Sequence, residues 1–223
     1  MFKNFVNGIS AILNGSIAII VLVVGFQIYP APIVQADTTG ILPDYKEIKP
    51  GDYLFNATLP YDATGDDIKC LVENMYHEAR SDGYAGMYAV AMVTLNRVAD
   101  PRYPDTVCEV VYQGPVRESW KTRQHADLPD SERIYYPRKH RCQFSWYCDG
   151  LSDKMHDTDA FFQATDIASL VLAGANGEYP LADITEGSTH YHTVDVYPNW
   201  RHDRGMMKIS RIGEHLFYRW QIL

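Results

Sequence analysis

Positive charge is in short supply, cysteine is scarce, and beyond the first few dozen residues no long apolar run occurs. Twenty Lys and Arg stand against 28 Asp and Glu, a formal charge of −8 over 223 residues. That balance gives no support to a sequence-blind grip on a polyanion, so nucleic acid is not an expected partner. Four cysteines are too few to hold a chain of this length, so a hydrophobic core must carry the fold, with disulfides as additions. No internal repeat or low-complexity tract appears. What is present is ordinary globular composition, 46% hydrophobic and 22% charged, which excludes a disordered chain and a bare coiled coil.

One local absence is informative. Nothing between Lys3 and Asp37 is ionisable, and Ile17 to Phe26 reads IAIIVLVVGF. Pro30 and Pro32 then break any helix, and Val34-Gln35-Ala36 places small or modest residues where a signal peptidase inspects them. Cleavage after Ala36 leaves Asp37 as the first residue. A second reading runs the apolar stretch from Phe5 to Tyr29, long enough to span a bilayer with its positive end inside, although Gly8, Asn14, Gly15 and Ser16 weaken such an anchor. Residues 1–36 are thus a signal peptide or signal anchor. The rest is expected outside the inner membrane, in the periplasm or cell wall, touching membrane only through this segment.

Residues 37–63, with Pro43, Pro50, Gly51 and Pro60, read as a linker or arm, and the domain proper as 64–223. Ile68, Leu71, Val72, Met75 and Ala79 follow helical spacing behind Thr64 or Asp66 as cap. At about 100° per residue Glu78 falls at the margin of that apolar stripe, while Glu73 and Arg80 point away. Tyr84 to Val98 is apolar almost all round, the pattern of a helix at the centre of the domain. Pro101 and Pro104 end it, and Val107 to Gln113 reads as a short helix or strand. Residues 114–141 are polar and locally basic, with little periodicity, and read as a surface excursion. A further helix fits Asp157 to Ala173. Thr189 to Tyr197, Met206 to Ile212 and His215 to Trp220 read as strands joined by Asp203 to Gly205 and by Gly213. Helices followed by strands predict an α+β, mainly helical domain with a small C-terminal β region.

Three patches combine polar and aromatic residues more densely than a core requires: Tyr76-His77-Glu78-Ala79-Arg80, Cys142-Gln143-Phe144-Ser145-Trp146, and Thr189-His190-Tyr191-His192 followed by Pro198-Asn199-Trp200. Together with Val93-Thr94-Leu95-Asn96-Arg97-Val98, Tyr103-Pro104-Asp105-Thr106-Val107-Cys108 and Ile212-Gly213-Glu214-His215-Leu216-Phe217-Tyr218, they resemble the spore-cortex-lytic and cell-wall hydrolase family. The resemblance runs in order from about Cys70 to Tyr218. It implies a lysozyme-like catalytic domain that cuts the glycan strand of peptidoglycan, in several members as a lytic transglycosylase, with Glu78 at the catalytic acid and the segments around Gln143 and His192 lining the cleft. The excursion between Gln113 and Cys142 departs from the family's usual pattern.

The chemistry also follows from the residues. Protonating a glycosidic oxygen near neutral pH needs a carboxyl that keeps its proton above the ordinary Glu value, which burial against Leu71 and Met75 favours. A hydrolase usually needs a second carboxylate, for which Asp149 and Asp195 are the nearest candidates. A transglycosylase manages with one: Glu78 acts first as acid, then as base toward the sugar's own 6-hydroxyl. Trp146, Tyr191, Tyr197 and Trp200 are candidates to stack on sugar faces, and Asn96, Gln143, Ser145 and His192 to bond hydroxyl and acetamido groups. No cofactor is expected, and a monomer acting on peptidoglycan glycan strands is.

Plainer readings compete. The aromatics suit a core equally well, Gln143 and Ser145 suit buried backbone contacts, and Glu78 by itself suits a helix-surface ion pair. His190 and His192 share one face of a strand as a metal pair would, so a metal-dependent amidase or peptidase is one alternative function and a non-catalytic wall-binding module another. The zinc-protease helix motif fails, because Ser81 stands where its second His belongs. Two disulfide pairings are open, Cys142 with Cys148 or Cys108 with Cys142. A phage endolysin and a bacterial housekeeping or germination enzyme both fit the domain plan.

Overall fold

The computed structural model describes residues 54–55 and 59–221. The export segment 1–36 and most of the 37–63 arm lie outside the described residues. In the described part of the arm, Phe55 N–H donates to Leu181 O at 2.7 Å and Leu59 is buried in the core.

Helix α1 spans Gly65–Ala79. Thr64 stands at its N-cap, and its backbone N–H and hydroxyl both donate to the Asp67 carboxylate, at 2.8 and 3.1 Å; this is the reciprocal half of a capping box, with Asp67 in the Glu position. Leu71, Val72, Met75 and Ala79 are buried as the spacing predicts. Glu73 differs from expectation, since its carboxylate accepts the Tyr112 hydroxyl and is half-buried. Helix α2, Gly83–Val98, is the centre of the domain: Met87, Val90, Ala91, Met92, Val93 and Leu95 are wholly buried. Its low amphipathicity follows, because it is wrapped on all sides. Helix α3 is Val107–Val111, capped by the Thr106 hydroxyl, and settles the open helix-or-strand reading there.

The 114–141 excursion is more ordered than its sequence suggests. Strands β1 (Val116–Glu118) and β2 (Tyr135–Pro137) pair antiparallel around a short helix α4 (Trp120–Arg123) capped by Ser119. Strands this short, with an exposed pattern, carry too few residues for periodicity to register. Helix α5, Thr158–Ala175 with Asp157 as N-cap, packs on α1 and α2. The C-terminal sheet has order β3-β5-β4, all antiparallel, with β3 at His190–Thr193, β4 at Met206–Ile212 and β5 at His215–Trp220. β3 is shorter than expected, and Asn199–His202 forms a 3-10 turn. The α+β, mainly helical architecture is as expected.

Two contacts place the sheet. Ala89 and Val93 of α2 are buried with Ile212 and Phe217, and Ala85, Ala89, Val93 and Arg97 form one i, i+4 stripe along α2. The β4–β5 turn is pinned from behind: Gly213, at φ 57°, passes so close to Asp82 that a Cβ would stand 2.6 Å from the carboxylate carbon, so only glycine fits.

The disulfides are Cys70–Cys108 and Cys142–Cys148. The alternative Cys108–Cys142 pairing does not occur, because packing of α1 on α3 brings the Cα atoms of Cys70 and Cys108 within 5.3 Å. Cys70 is at once a buried residue of α1 and a cross-link.

Candidate active site

A cleft of about 300 Å³ opens where the end of α1, the end of α2, the 143–145 segment and β3 converge. Glu78, Arg97, Gln143, Phe144, Ser145, His190, Tyr191, His192, Thr193, Val196, Trp200 and His215 line it. Six residues predicted from the sequence meet there: Glu78, Gln143, Ser145, Tyr191, His192 and Trp200. Three do not. Tyr197 is exposed outside the lining, with the Arg201 guanidinium over its ring. Trp146 is buried in the core, where its Nε1–H donates to Asn74 Oδ1 at 3.0 Å and its ring stacks on His77. An indole only 7% exposed that satisfies its one polar atom internally has no face left for a sugar. Asn96 is likewise committed, with Nδ2 facing Asp183 Oδ2, Thr185 Oγ1 and Ser188 O at 3.0 to 3.2 Å; it latches the loop that leads into β3.

Among the described residues Glu78 is the one carboxylate lining the cleft. Asp149 instead accepts the Leu151 N–H at 2.7 Å, and Asp195 is exposed outside it. The Glu78 Oε2 accepts the Tyr191 hydroxyl at 2.9 Å. Burial raises the Glu78 pKa above its ordinary value; the Tyr191 hydrogen bond and the positive potential of His215 and Arg97 oppose the rise without cancelling it. A carboxyl held this way keeps a proton to donate at higher pH than a solvated one. Tyr191 is pushed well above its usual value, by burial first and the adjacent Glu78 next, so it stays a donor.

Sequence reasoning missed Arg97 and the Asp82–His215 pair. Arg97 is 3% exposed. Its Nε–H donates to Thr189 O at 2.8 Å, its guanidinium lies over Phe144 and Tyr103, and its Nη1 is buried without a hydrogen-bond partner. Burial lowers the Arg97 pKa, yet a guanidinium remains charged at neutral pH. The available signal was an arginine continuing the apolar Ala85, Ala89, Val93 stripe. His215 Nδ1 lies 2.8 Å from Asp82 Oδ2, with both side chains almost wholly buried. The carboxylate fixes the proton on Nδ1, so the ring that lines the cleft presents Nε2 as its remaining nitrogen. Only tertiary structure joins these two, since 133 residues separate them.

His190 and His192 do share a face. Burial, then Arg97 and Arg102, push His190 down to about 4, which leaves it neutral at physiological pH. His192 has both ring nitrogens engaged, Nδ1 with Thr193 O at 2.8 Å and Nε2 with the Tyr218 hydroxyl at 3.0 Å. A ring so used is a scaffold for the cleft wall; as a metal ligand it would have to give up a bond. Trp200 sits against His190 and His192 and is a part-exposed member of the cleft lining.

A family model described as Cell Wall Hydrolase matches residues 81–218, beginning just after Glu78. A spore cortex-lytic enzyme of Halalkalibacterium halodurans is 38% identical over 160 residues, 71% of this chain and 36% of that protein. The spore cortex-lytic enzyme of Bacillus subtilis is 37% identical over 57 residues, 26% of this chain and 19% of that protein. The chain therefore spans little more than a third of the first of these relatives, and less of the second. Among solved structures, the catalytic domain of the Bacillus cereus SleB protein aligns with a TM-score of 0.45 at 23% identity, over 72% of this chain and 95% of that one. The catalytic domain of the germination-specific lytic transglycosylase SleB from Bacillus anthracis gives 0.41 at 21% identity, over 72% and 99%.

Proposed function

We propose that this chain, which belongs to the cell wall hydrolase family, cleaves the glycan strand of peptidoglycan at the bond between N-acetylmuramic acid and N-acetylglucosamine, as a lytic transglycosylase. The observation that carries the reading is a half-buried carboxyl of raised pKa, Glu78, standing in a cleft with no second carboxylate among its described lining residues. Protonated Glu78 donates to the glycosidic oxygen as the bond breaks. Its carboxylate then takes the proton of the sugar's own 6-hydroxyl, which closes onto the anomeric carbon and leaves an anhydro-muramic end. One group serves both half-steps, which fits a site lacking the paired carboxylates of ordinary glycoside hydrolysis.

In this reading Tyr191 orients the Glu78 carboxyl, Trp200 offers a ring to a sugar face, and Gln143 and Ser145 supply hydrogen bonds to hydroxyl and acetamido groups. Arg97 gives the cleft a positive potential that favours the carboxylate once its proton has left. The enzyme acts outside the inner membrane, as the 1–36 segment implies, and the same chemistry serves phage-driven host lysis or bacterial wall turnover.

Mass spectrometry of fragments released from purified sacculi tests the proposal. Anhydro-muramic ends from the wild type and none from Glu78→Gln are expected. Reducing ends would replace transglycosylation by hydrolysis, and free stem peptides would overturn the glycosidase reading.

A further inference from the structure

Asp82 and His215 form a buried ionisable pair that the chemistry above leaves unused. The Asp82 side chain is boxed in by two glycines: a Cβ on Gly86 would run into its Cβ, and one on Gly213 would stand 2.6 Å from its carboxylate carbon. Its Oδ2 accepts the His215 Nδ1–H at 2.8 Å and the Glu214 N–H at 3.2 Å. His215 opens the central strand of the C-terminal sheet, paired with Thr193 on one side and Ile212 on the other. The Tyr191 ring stands edge-on to it at 5.1 Å. The imidazole cannot turn over without giving up the carboxylate, so Nε2 is the nitrogen left for other work.

His215 Nε2 and Glu78 Oε1 are in the same state. Among the described residues neither has a hydrogen-bond partner. Nor is either one of the unpartnered atoms sealed from solvent, which are Arg97 Nη1, Gln113 Oε1 and Ser210 Oγ. Both residues line the cleft, so an acidic group and a basic lone pair open onto one hollow. The other two imidazoles of the lining do not match this. His192 spends both nitrogens on Thr193 O and the Tyr218 hydroxyl. His190 has Nδ1 3.0 Å from Thr189 Oγ1, and its burial, then Arg97 and Arg102, make it a poor proton acceptor. Of the three, His215 alone is hydrogen-bonded to a carboxylate, the arrangement that orients an imidazole and stabilises the imidazolium it becomes.

Resting on the glycan-cleaving reading above, we propose that His215 is a second catalytic residue, whose Nε2 takes the proton of the sugar's 6-hydroxyl as that oxygen closes onto the anomeric carbon. Glu78 gives its proton to the glycosidic oxygen, and the bond from that oxygen to the anomeric carbon breaks. The 6-oxygen forms the new bond to the same carbon and sheds its proton to Nε2. The imidazolium, held by the Asp82 carboxylate, passes that proton on to the Glu78 carboxylate. Glu78 is thereby restored as the acid, and no water or other reactant is consumed.

The test digests purified sacculi with the full chain, wild type beside His215→Asn, and counts the product ends by mass spectrometry. Asparagine keeps an N–H for Asp82 and removes Nε2. The variant's kcat is expected to fall about 10²-fold or more with KM little changed, and the share of anhydro-muramic ends to fall as water competes for the anomeric carbon. A kcat near the wild-type value overturns the proposal. So does a lower kcat with the share of anhydro ends unchanged, which is what a merely structural role gives. Should the variant fail to fold, the ¹⁵N resonance of His215 Nε2 in Glu78→Gln decides. A soluble tetrasaccharide of alternating N-acetylglucosamine and N-acetylmuramic acid is expected to shift it, because a hydroxyl then donates to a nitrogen without a partner in the free protein; an unmoved resonance overturns the proposal. Wild-type digests without anhydro ends overturn the transglycosylase reading and this role with it, whereas anhydro ends that form equally well without Nε2 overturn the role of His215 alone.

Discussion

The Tyr191 hydroxyl donates to Glu78 Oε2 at 2.9 Å, joining the end of α1 to the middle strand position of β3 across 113 residues of sequence. The bond favours the ionised carboxyl, while burial favours the neutral one, and burial is the larger effect. The site thus holds an acid that is oriented by a neighbour without being stripped of its proton by it.

Glu78→Gln keeps the shape and removes the proton. Release of soluble fragments from sacculi is expected to fall by about 10³-fold or more, within or beyond the usual range for loss of a general acid. Retained binding to sacculi in a pelleting assay separates loss of chemistry from loss of fold.

The pH dependence has a definite sign. A carboxyl whose folded pKa is raised binds more protons in the folded state than in the unfolded one, so stability falls as pH rises between the unfolded value of about 4.3 and the raised folded value, and is level above it. Urea melts from about pH 4 to 8 are expected to show the wild type losing stability relative to Glu78→Gln across that window. Tyr191→Phe removes a contact that lowers the Glu78 pKa, so the alkaline limb of its kcat/KM profile is expected to move to higher pH. An unmoved limb would show that Tyr191 does not act on this proton.

Asp82 and His215 form a buried pair behind the cleft. Asp82→Asn is expected to cost about 3 kcal/mol in chemical denaturation, as for a buried pair broken from one side. Gly213→Ala attacks the same contact sterically, because its Cβ would meet the Asp82 carboxylate, and is expected to lower the melting temperature likewise.

The disulfides differ in reach. Cys70–Cys108 closes a separation of 38 residues and Cys142–Cys148 one of 6. By loop entropy the first is worth about 4 kcal/mol and the second about 2. Replacing both members of each pair by serine, and measuring the melting temperature, is expected to rank them in that order.

The two tryptophans predicted for sugar contact separate in the same way. Trp146→Phe leaves Asn74 Oδ1 without its 3.0 Å donor, and is expected to destabilise by about 2 kcal/mol with KM little changed. Trp200→Ala is expected to raise KM several-fold with little effect on stability. The reverse pattern would place the binding ring in the wrong element.

Much of this architecture was legible because it is local. The 3.6-residue spacing from Ile68 to Ala79 marked α1 and put Glu78 at its apolar margin, the all-round apolar run marked α2 as central, and Asp157, Gly205 and Gly213 marked where elements start or turn. The short strands of the excursion were not legible, because three-residue strands with exposed faces leave no period to read. Trp146 and Trp200 could not be told apart either: the residue type is the same, and what differs is whether a partner such as Asn74 waits in the core.

By itself the sequence determined the three long helices and the strand-rich end, and marked Glu78 as the candidate acid, since periodicity and residue type act over neighbouring positions. Tertiary structure alone decided that Tyr191 meets Glu78, that Arg97 and His215 face the same cleft, that Asp82 holds His215, and that Cys70 pairs with Cys108. Those contacts join residues dozens to more than a hundred positions apart, and a proton's affinity for a carboxyl depends on the atoms packed around it, whatever their distance along the chain.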